Sequence, residues 1–251
     1  MTTRHVLAAL LLCALPLSLA AQAPGRWPPD SLINVKIIPK NTPVIQVVGM
    51  MRNFAGALGV RCQFCHVGQE GMPLAQFDFA KDEKRTKLTA RQMMRMVEDI
   101  NRRVDTLPEH EKMTSHVEVT CATCHRGVSR PMPLEQLIQE TAQTAGADSA
   151  SRVYRALRER YYGRAAYDFG EPTLNVAAFR LARAGKYDDA FAILRLNEAQ
   201  FPASSNLATF RGNISLMRGD TTGAVAAFRE AVRRDSTNGE AQGRLRQLIR
   251  Q

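Results

Sequence analysis

The sequence feature that most constrains this chain is a five-residue pattern, Cys-x-x-Cys-His, which occurs twice. One copy occupies residues 62–66 and the other occupies residues 121–125. Two thiols three residues apart can each bond covalently to the edge of one porphyrin, and the histidine that follows can then coordinate its iron. The pattern therefore predicts two covalently bound haem c groups. The predicted attachment residues are Cys62, Cys65, Cys121 and Cys124, and the predicted proximal iron ligands are His66 and His125.

Two other kinds of site use paired cysteines. Four cysteines can hold a structural zinc ion, and a single Cys-x-x-Cys pair can act as a thiol–disulfide switch. Neither kind of site requires the histidine. Apart from His5, the chain has four histidines, and two of them directly follow a cysteine pair. This coincidence favours haem attachment over zinc binding and over redox disulfides.

The N-terminus has the three parts of a secretory leader. Basic residues precede an apolar stretch over residues 6–19, and small residues follow at positions 20–23. The whole apolar run, residues 6–21, is about sixteen residues long, which is shorter than the roughly 20 that a membrane-spanning helix needs. We therefore expect residues 1–21 to be a signal peptide that is cleaved on export to the periplasm, which leaves no membrane span; an uncleaved anchor helix is the alternative. Cleavage also removes Cys13, so that the mature chain keeps only the motif cysteines.

Each iron also needs a sixth ligand or an open position, and methionine is the residue to look for. Residues 41–43 and Gly59 predict the start and the end of a helix before the first motif. Residues 89–92 resemble a capping box, which predicts the start of another helix before the second motif. Both helices carry methionines on an apolar face, where methionine either ligates iron or fills a core. The apolar positions are Val44, Val47, Met51, Phe54 and Leu58 in the first helix, and Met93, Met96, Val97, Ile100 and Val104 in the second.

These residues resemble a known family. The stretch over residues 35–133 is similar to one half of the cytochrome c subunit of photosynthetic reaction centres, in which a methionine-bearing helix precedes each haem motif. The resemblance implies that Met51 is the sixth ligand of the first iron and Met93 that of the second. Helical spacing alone does not choose between Met93 and Met96, because they share a face. The matching segments are residues 50–51, 58–59, 62–66, 90–93, 100–101 and 119–127.

The chain also departs from that family. The photosynthetic subunits carry four haems in two such halves, whereas this chain has attachment motifs for two. One haem of the family takes a distant histidine as its sixth ligand, but His110 and His116 have no evident counterpart role. A photosynthetic reaction centre is therefore one candidate among periplasmic electron-transfer partners.

Beyond Pro133 the pattern of the chain changes. Helical periodicity over residues 134–144 and 152–162, separated by small and polar residues, predicts a helical connector. From residue 171 onward, small residues recur at a 34-residue offset that resembles tetratricopeptide repeats. The matched residues are Ala178 with Gly212, Gly185 with Gly219, and Ala190 with Ala224. The predicted fold class is all-α, and its parts are a haem-organised dihaem cytochrome c domain at 22–133, a helical connector at 134–170 and a tetratricopeptide-like helical-repeat domain at 171–251.

Formal charge also separates the two parts of the chain. Residues 24–148 carry a net charge of +2, and residues 149–251 carry +7. A basic repeat domain can steer an acidic partner towards the haems. We therefore expect redox protein partners, acidic ones included, that dock near the haems or on the repeat domain. Export and the lack of stacking aromatic residues among the arginines argue against nucleic acid.

A six-coordinate His–Met iron exchanges one electron without a change of ligands, which suits a relay. The sequence therefore predicts a periplasmic dihaem c-type cytochrome that carries single electrons between redox partners and is not an enzyme. A photosynthetic reaction centre and a respiratory complex are the candidate partners. Two alternatives stay open. One is a dihaem peroxidase-type enzyme, in which one iron lacks its sixth ligand, and the other is a zinc-stabilised interaction protein.

Overall fold

The computed structural model describes residues 26–108 and 117–249. These residues contain nine α-helices and no β-strand, which confirms the prediction of an all-α fold. Within them, no helix is long and apolar enough to cross a membrane. The predicted signal peptide at 1–21, and His110 and His116, lie outside the described residues. The helices are α1 (Val44–Leu58), α2 (Arg85–Val104), α3 (Cys121–His125), α4 (Leu134–Tyr161), α5 (Glu171–Arg183), α6 (Tyr187–Glu198), α7 (Ser205–Arg218), α8 (Thr221–Arg234) and α9 (Gly239–Ile249).

The described residues form two compact units. Unit 1 comprises residues 26–49 and 62–93, and unit 2 comprises residues 50–61, 94–108 and 117–249. The first Cys-x-x-Cys-His motif belongs to unit 1 and the second motif belongs to unit 2. Each motif is therefore described with the residues of its own unit.

Helix α1 begins and ends where the sequence predicts. It starts directly after Pro43, and Gly59 follows its last residue with a φ of +66°. The Gly59 amide donates to the Gly56 carbonyl at 3.2 Å, and the Val60 amide donates to the Ala55 carbonyl at 3.0 Å. This pair of hydrogen bonds is a Schellman motif, which ends a helix at a residue that tolerates the left-handed conformation.

Helix α2 begins earlier than the sequence analysis predicts. The capping box proposed at residues 89–92 is wrong, because the helix already starts at Arg85. The Lys84 carbonyl accepts a hydrogen bond from the Lys87 amide at 3.0 Å. No proline or glycine interrupts residues 85–104, so nothing in the sequence stops the helix from extending back to this point.

Helix α4 joins the two helical segments predicted after Pro133. The structure is helical from Leu134 to Tyr161 except at Gly146, whose φ and ψ are 80° and 163°. The seven-residue break expected at 145–151 is therefore a kink at one residue. Glycine adopts a positive φ without the steric cost that a side chain imposes, which explains why the break falls there.

The small residues matched at the 34-residue offset occupy corresponding places in helices α5 to α8. Gly185 and Gly219 follow α5 and α7 with φ values of +75° and +85°. Gly212 is packed so closely that a Cβ there would lie 2.6 Å from the Phe228 ring. The assignment to tetratricopeptide repeats itself stays a prediction. The other matched residues, all fully buried, are Ala178, Ala190 and Ala224.

Buried hydrophobic side chains are distributed unevenly along the chain. The described residues before Leu134 contribute three of them, whereas residues 134–249 contribute 24. Both hydrophobic core clusters consist of residues from Leu134 onward. The region that carries the two motifs therefore has little hydrophobic core of its own. Its three buried hydrophobic side chains are Val47, Val48 and Val128.

Candidate haem sites

The first motif is a tight turn in unit 1. A 3-10 helix spans Cys62–Phe64, and the Cys62 carbonyl accepts hydrogen bonds from the amides of Cys65 and His66 at 3.2 and 2.9 Å. The Thr86 hydroxyl, in the first turn of α2, donates to the Phe64 carbonyl. The turn places both thiols and the imidazole on one short segment, and Thr86 fastens that segment to α2.

The His66 imidazole packs against aromatic side chains. Its ring centroid lies 4.9 Å from that of Phe79, with the planes at 62°. Phe79 also contacts Trp27 and Phe77, at centroid distances of 4.8 and 5.6 Å. Burial, and after it the positive charge of Lys87, lowers the pKa of His66. The imidazole is therefore neutral at neutral pH, which is the form that coordinates a metal.

A buried lysine holds the loop that carries Phe79. Lys87 Nζ donates to the carbonyls of residues 79–81, at 2.8, 3.0 and 2.6 Å, and lies 2.9 Å from Asp82 Oδ1. Arg91 binds Asp82 Oδ2 at 2.8 Å and the Asn34 carbonyl at 3.0 Å. Hydrogen bonds from Arg91, then Asn34 and Lys87, hold the pKa of Asp82 far below its usual range. We call Lys87, Arg91 and Asp82 the lysine cluster.

The second motif forms the short helix α3 in unit 2. The Thr120 amide donates to Thr123 Oγ1 at 3.0 Å, and the Thr123 amide donates to the Thr120 carbonyl at 3.1 Å, which caps the helix start. His125 ends the helix and is buried, and its Nδ1 lies 2.9 Å from the Val128 carbonyl oxygen. Because a carbonyl oxygen can only accept a hydrogen bond, Nδ1 must be the donor, and we assign the proton to it. Nε2 is then the nitrogen that can coordinate a metal.

The end of α1 holds the segment that follows His125. Arg126 and Gly127 adopt left-handed backbone conformations, with φ values of +49° and +85°. The Gly127 amide donates to the Ala57 carbonyl at 2.8 Å. A side chain at Gly59 would collide with the Gly127 carbonyl. Gly59 is therefore required twice, once to end α1 and once to let the two backbones approach.

Asn101 holds the segment that precedes the second motif. Its Nδ2 donates to the Val119 carbonyl at 2.9 Å, and its Oδ1 accepts from the Val119 amide at 2.8 Å. This pair of hydrogen bonds holds the backbone of Val119, which lies two residues before the first thiol of the motif. Asn101 lies in a segment that matches the family, but nothing in the sequence around it indicates this role.

One cysteine of each motif lacks the lowered pKa that is typical of a redox-active thiol. Cys62, Cys65, Cys121 and Cys124 are all free thiols. Burial is the largest cause that raises the pKa of Cys65 and of Cys121. A redox-active cysteine has the opposite property, a lowered pKa that favours the thiolate. The part of the chain that the structure describes contains no group of three or more His, Cys, Asp or Glu side chains that could hold a metal ion.

The candidate methionines differ in exposure. Met51, in the middle of α1, and Met93, in the middle of α2, are both half-buried. Met96 is 44% exposed. Exposure thus distinguishes Met93 from Met96, the pair between which helical spacing does not choose. Met51 belongs to unit 2 and Met93 belongs to unit 1.

Sequence reasoning missed the residues that surround the first motif. Phe79 and Trp27 lie in segments without helical periodicity, and Lys87 lies on a helix whose apolar stripe does not include it. None of them carries a local signal of its role. The role of Gly59 was found only in part, because its contact with Gly127 joins distant parts of the chain.

The donor sets fit a haem c group. Each motif offers two free thiols and one imidazole, and the imidazole is neutral at His66 and oriented by a carbonyl at His125. A haem also supplies a large apolar surface, and the region around the motifs has few buried hydrophobic side chains of its own. Residues 71–161 match the model of a family described as the photosynthetic reaction centre cytochrome C subunit. This chain resembles those cytochrome subunits.

Two curated relatives agree with the family match. Cytochrome c-554 of Chloroflexus aurantiacus is 39% identical over 77 residues, which cover 30% of this chain and 16% of that protein. The photosynthetic reaction center cytochrome c subunit of Rubrivivax gelatinosus is 32% identical over 99 residues, which cover 37% of this chain and 25% of that protein. The chain thus spans a quarter or less of each relative's length. The family match contains the second motif and all of α4, and it begins after the first motif.

Proposed function

We propose that this protein is an exported electron-transfer protein that binds two haem c groups, one at each motif. The observation that carries the proposal is the repeated donor set, in which two free thiols are followed directly by an imidazole in a metal-binding state. The similarity to cytochrome c-554 and to a reaction-centre cytochrome c subunit supports covalent haem attachment. Residues 22–133 would form the dihaem domain, with residues 134–170 and 171–251 as the connector and the repeat domain.

Each residue of the donor sets has a proposed role. Cys62 and Cys65 attach the first haem, Cys121 and Cys124 attach the second, and His66 and His125 are the proximal ligands. Met51 and Met93 supply the sixth ligands, and their sulfur favours the ferrous state. When bound, the haems supply one-electron ferric–ferrous couples.

The protein's own groups orient the two imidazoles. The Val128 carbonyl sets the tautomer of His125, and the Phe79 ring sets the plane of His66.

We place the protein in the periplasm, where it exchanges electrons with other redox proteins. A photosynthetic reaction centre or a respiratory complex is the proposed partner class. Residues 149–251 carry a net charge of +7, which suits a partner with an acidic docking surface. Association with such a partner should weaken as salt is added, because exposed charges are screened within about 10 Å at 0.1 M ionic strength.

Mass spectrometry of the mature protein tests the proposal. The protein is produced in a host that attaches haem to exported cytochromes. We expect the mass of the chain without residues 1–21 plus two haems, and a red colour that survives acid–acetone extraction. A Cys121→Ala/Cys124→Ala variant should lose one haem. A colourless protein that unfolds when a chelator is added would instead support zinc binding.

Carbon monoxide binding separates a relay from an enzyme. With methionine on both irons, the oxidised protein should show the weak sulfur-to-iron absorption, and the reduced protein should bind carbon monoxide poorly. Met51→Ala and Met93→Ala should each open one iron to carbon monoxide, whereas Met96→Ala is the matched control and should not. Fast binding to one haem of the unaltered protein would favour the peroxidase-type alternative.

A further inference from the structure

The two proximal histidines differ in what their Nδ1 atoms contact. His125 Nδ1 donates to the Val128 carbonyl at 2.9 Å. His66 Nδ1 is buried and has no hydrogen-bond partner within residues 26–108 and 117–249. The Phe79 carbonyl, on the residue whose ring packs against His66, acts on that imidazole as an acceptor and raises its pKa, but it also accepts a hydrogen bond from Lys87 Nζ at 2.8 Å. A carbonyl that binds Nδ1–H makes an imidazole a more basic ligand, which stabilises ferric iron. Among the described residues, Nδ1 of His125 makes such a bond and Nδ1 of His66 does not, and the Phe79 carbonyl beside His66 is shared with Lys87.

The charges around the two motifs differ as well. The lysine cluster contains two cations and one anion, so it carries a net charge of +1. The side chains of Lys87 and Arg91 are only 10% and 16% exposed, and that of Asp82 is 36% exposed. Lys87 binds the carbonyl of Phe79, whose ring lies 4.9 Å from that of His66, so the charge of the cluster lies close to this imidazole. A partly desolvated positive charge favours the iron state with one positive charge fewer, which is the ferrous state.

We propose that the lysine cluster raises, and the His125–Val128 hydrogen bond lowers, the midpoint potential of the adjacent haem, so that the first motif holds the higher-potential haem. This inference rests on the proposed function. A single electron added to the protein then resides mainly on the first haem at equilibrium. Lys87, Arg91 and Asp82 act through His66 and its surroundings, so they are positioning residues.

A redox titration of the full haem-loaded protein tests the inference. An electrode supplies or removes one electron for each iron, and two midpoint potentials are recorded. Lys87→Gln removes the charge but keeps an N–H donor for the loop carbonyls. We expect it to lower the ferrous-to-ferric ratio at the higher midpoint about tenfold, which is ~59 mV for a one-electron couple. Asp82→Asn removes the anion and should raise the same midpoint.

Lys81→Gln is the matched control. It removes the same charge from the neighbouring loop, but the Lys81 side chain is 54% exposed, so water and salt screen it. We expect the ferrous-to-ferric ratio, measured at the higher midpoint of the unaltered protein, to change less than about twofold. General loss of structure would move Lys87→Gln and Asp82→Asn in the same direction, so opposite shifts identify a charge effect.

Several results would overturn the inference. These are shifts of the same sign in the two variants, a shift confined to the lower midpoint, or no shift at either midpoint. Should Lys87→Gln fail to fold, Asp82→Asn with an unchanged or lowered upper midpoint still contradicts it. A protein without two haems would refute the proposed function, whereas two haems with unmoved midpoints would refute only this inference.

Discussion

The described residues before Leu134 and those from Leu134 onward are held together by different interactions. The earlier region has three buried hydrophobic side chains and the later region has 24. In the earlier region, the buried residues include Lys87 and His125, which bind backbone carbonyls. In the later region, alanines and glycines let helices approach until their apolar side chains fill the space between them.

From this difference we infer which region needs the proposed haems. Apolar burial is the main favourable contribution to folding, at roughly 25 cal/mol per Å². The later region obtains this burial from its own side chains. The earlier region leaves Met51 and Met93 half-buried, so a bound haem has apolar surface to cover there. We therefore expect the motif region to need its haems in order to fold, as small metal-binding domains need their metal.

Removing haem attachment should have the largest effect. A full-length variant with alanine at all four motif cysteines should lose amide protection in residues 26–108 and 117–133, because the apolar surface that haem buries there is lost. Residues 134–249 should keep their helical protection. Hydrogen–deuterium exchange of this variant and of the haem-loaded protein measures both. Protection that persists around the motifs would mean that the region folds without haem.

Gly59→Ala should be the most damaging single substitution in the motif region. The new Cβ meets the Gly127 backbone, and the φ of +66° is itself unfavourable for alanine. We expect a loss of about 3 kcal/mol in the free energy of unfolding. Urea unfolding followed by haem absorption measures it.

Gly56→Ala is the control for this substitution, because a Cβ there meets nothing within 4 Å. It should stabilise α1 by up to about 1 kcal/mol. Equal losses in the two variants would show that the close approach of Gly59 to Gly127 is not important.

Gly212→Ala should damage the later region in the same manner. The added Cβ lies 2.6 Å from the Phe228 ring in a filled core. We expect a loss of about 2 kcal/mol, which is typical of overpacking. Helical circular dichroism during urea unfolding measures it, and haem absorption of the folded protein should not change. Gly243→Ala in α9 is the control, because no atom lies within 4 Å of its Cβ.

The parts of the fold that could be predicted are those with local signals. Pro43 and Gly59 mark the ends of α1, and both lie next to the helix that they limit. The motif thiols and imidazoles are contiguous, so their chemistry could be predicted before any fold was known. The predicted start of α2 was wrong because a capping box is a weak signal when helix-forming residues precede it.

The supporting contacts could not be predicted, because each joins segments far apart in the sequence. Lys87 binds three carbonyls of a loop whose path no periodicity encodes. Gly127 meets α1 through backbone atoms, which leave no pattern in side chains. The sequence thus predicts which residues react and leaves open which residues hold them in place.

Asn101→Ala should weaken the second motif moderately. The substitution removes both hydrogen bonds to Val119 and leaves the Val119 amide and carbonyl without these partners. We expect a loss of about 1.5 kcal/mol. Asn101→Asp keeps the acceptor for the Val119 amide but turns a second oxygen towards the Val119 carbonyl, so it should not recover the loss. Exchange rates of the amides at 119–125 measure the effect, and an Asp variant as stable as the unaltered protein would contradict the assigned geometry.

The smallest effect should appear at acid pH, and it tests whether the two regions differ in charge as they do in burial. The pKa of Asp82 lies below its ordinary 3.8, and Arg233 and Arg234 lower that of Glu230 from 4.5 to about 2. A lowered carboxyl pKa adds stability at pH values above the ordinary pKa. That stability is lost as pH falls through the pKa of the folded state. Asp82→Asn and Glu230→Gln should therefore each destabilise the protein at neutral pH, with a difference that vanishes on acidification. Urea unfolding from about pH 6 down to about pH 1.5 measures both, because the stability is lost only as pH falls through the folded pKa values. If the two variants have similar pH profiles of stability, hydrophobic burial remains the property that separates the regions. If one variant loses the same stability at every pH, its carboxylate acts by shape and not by charge.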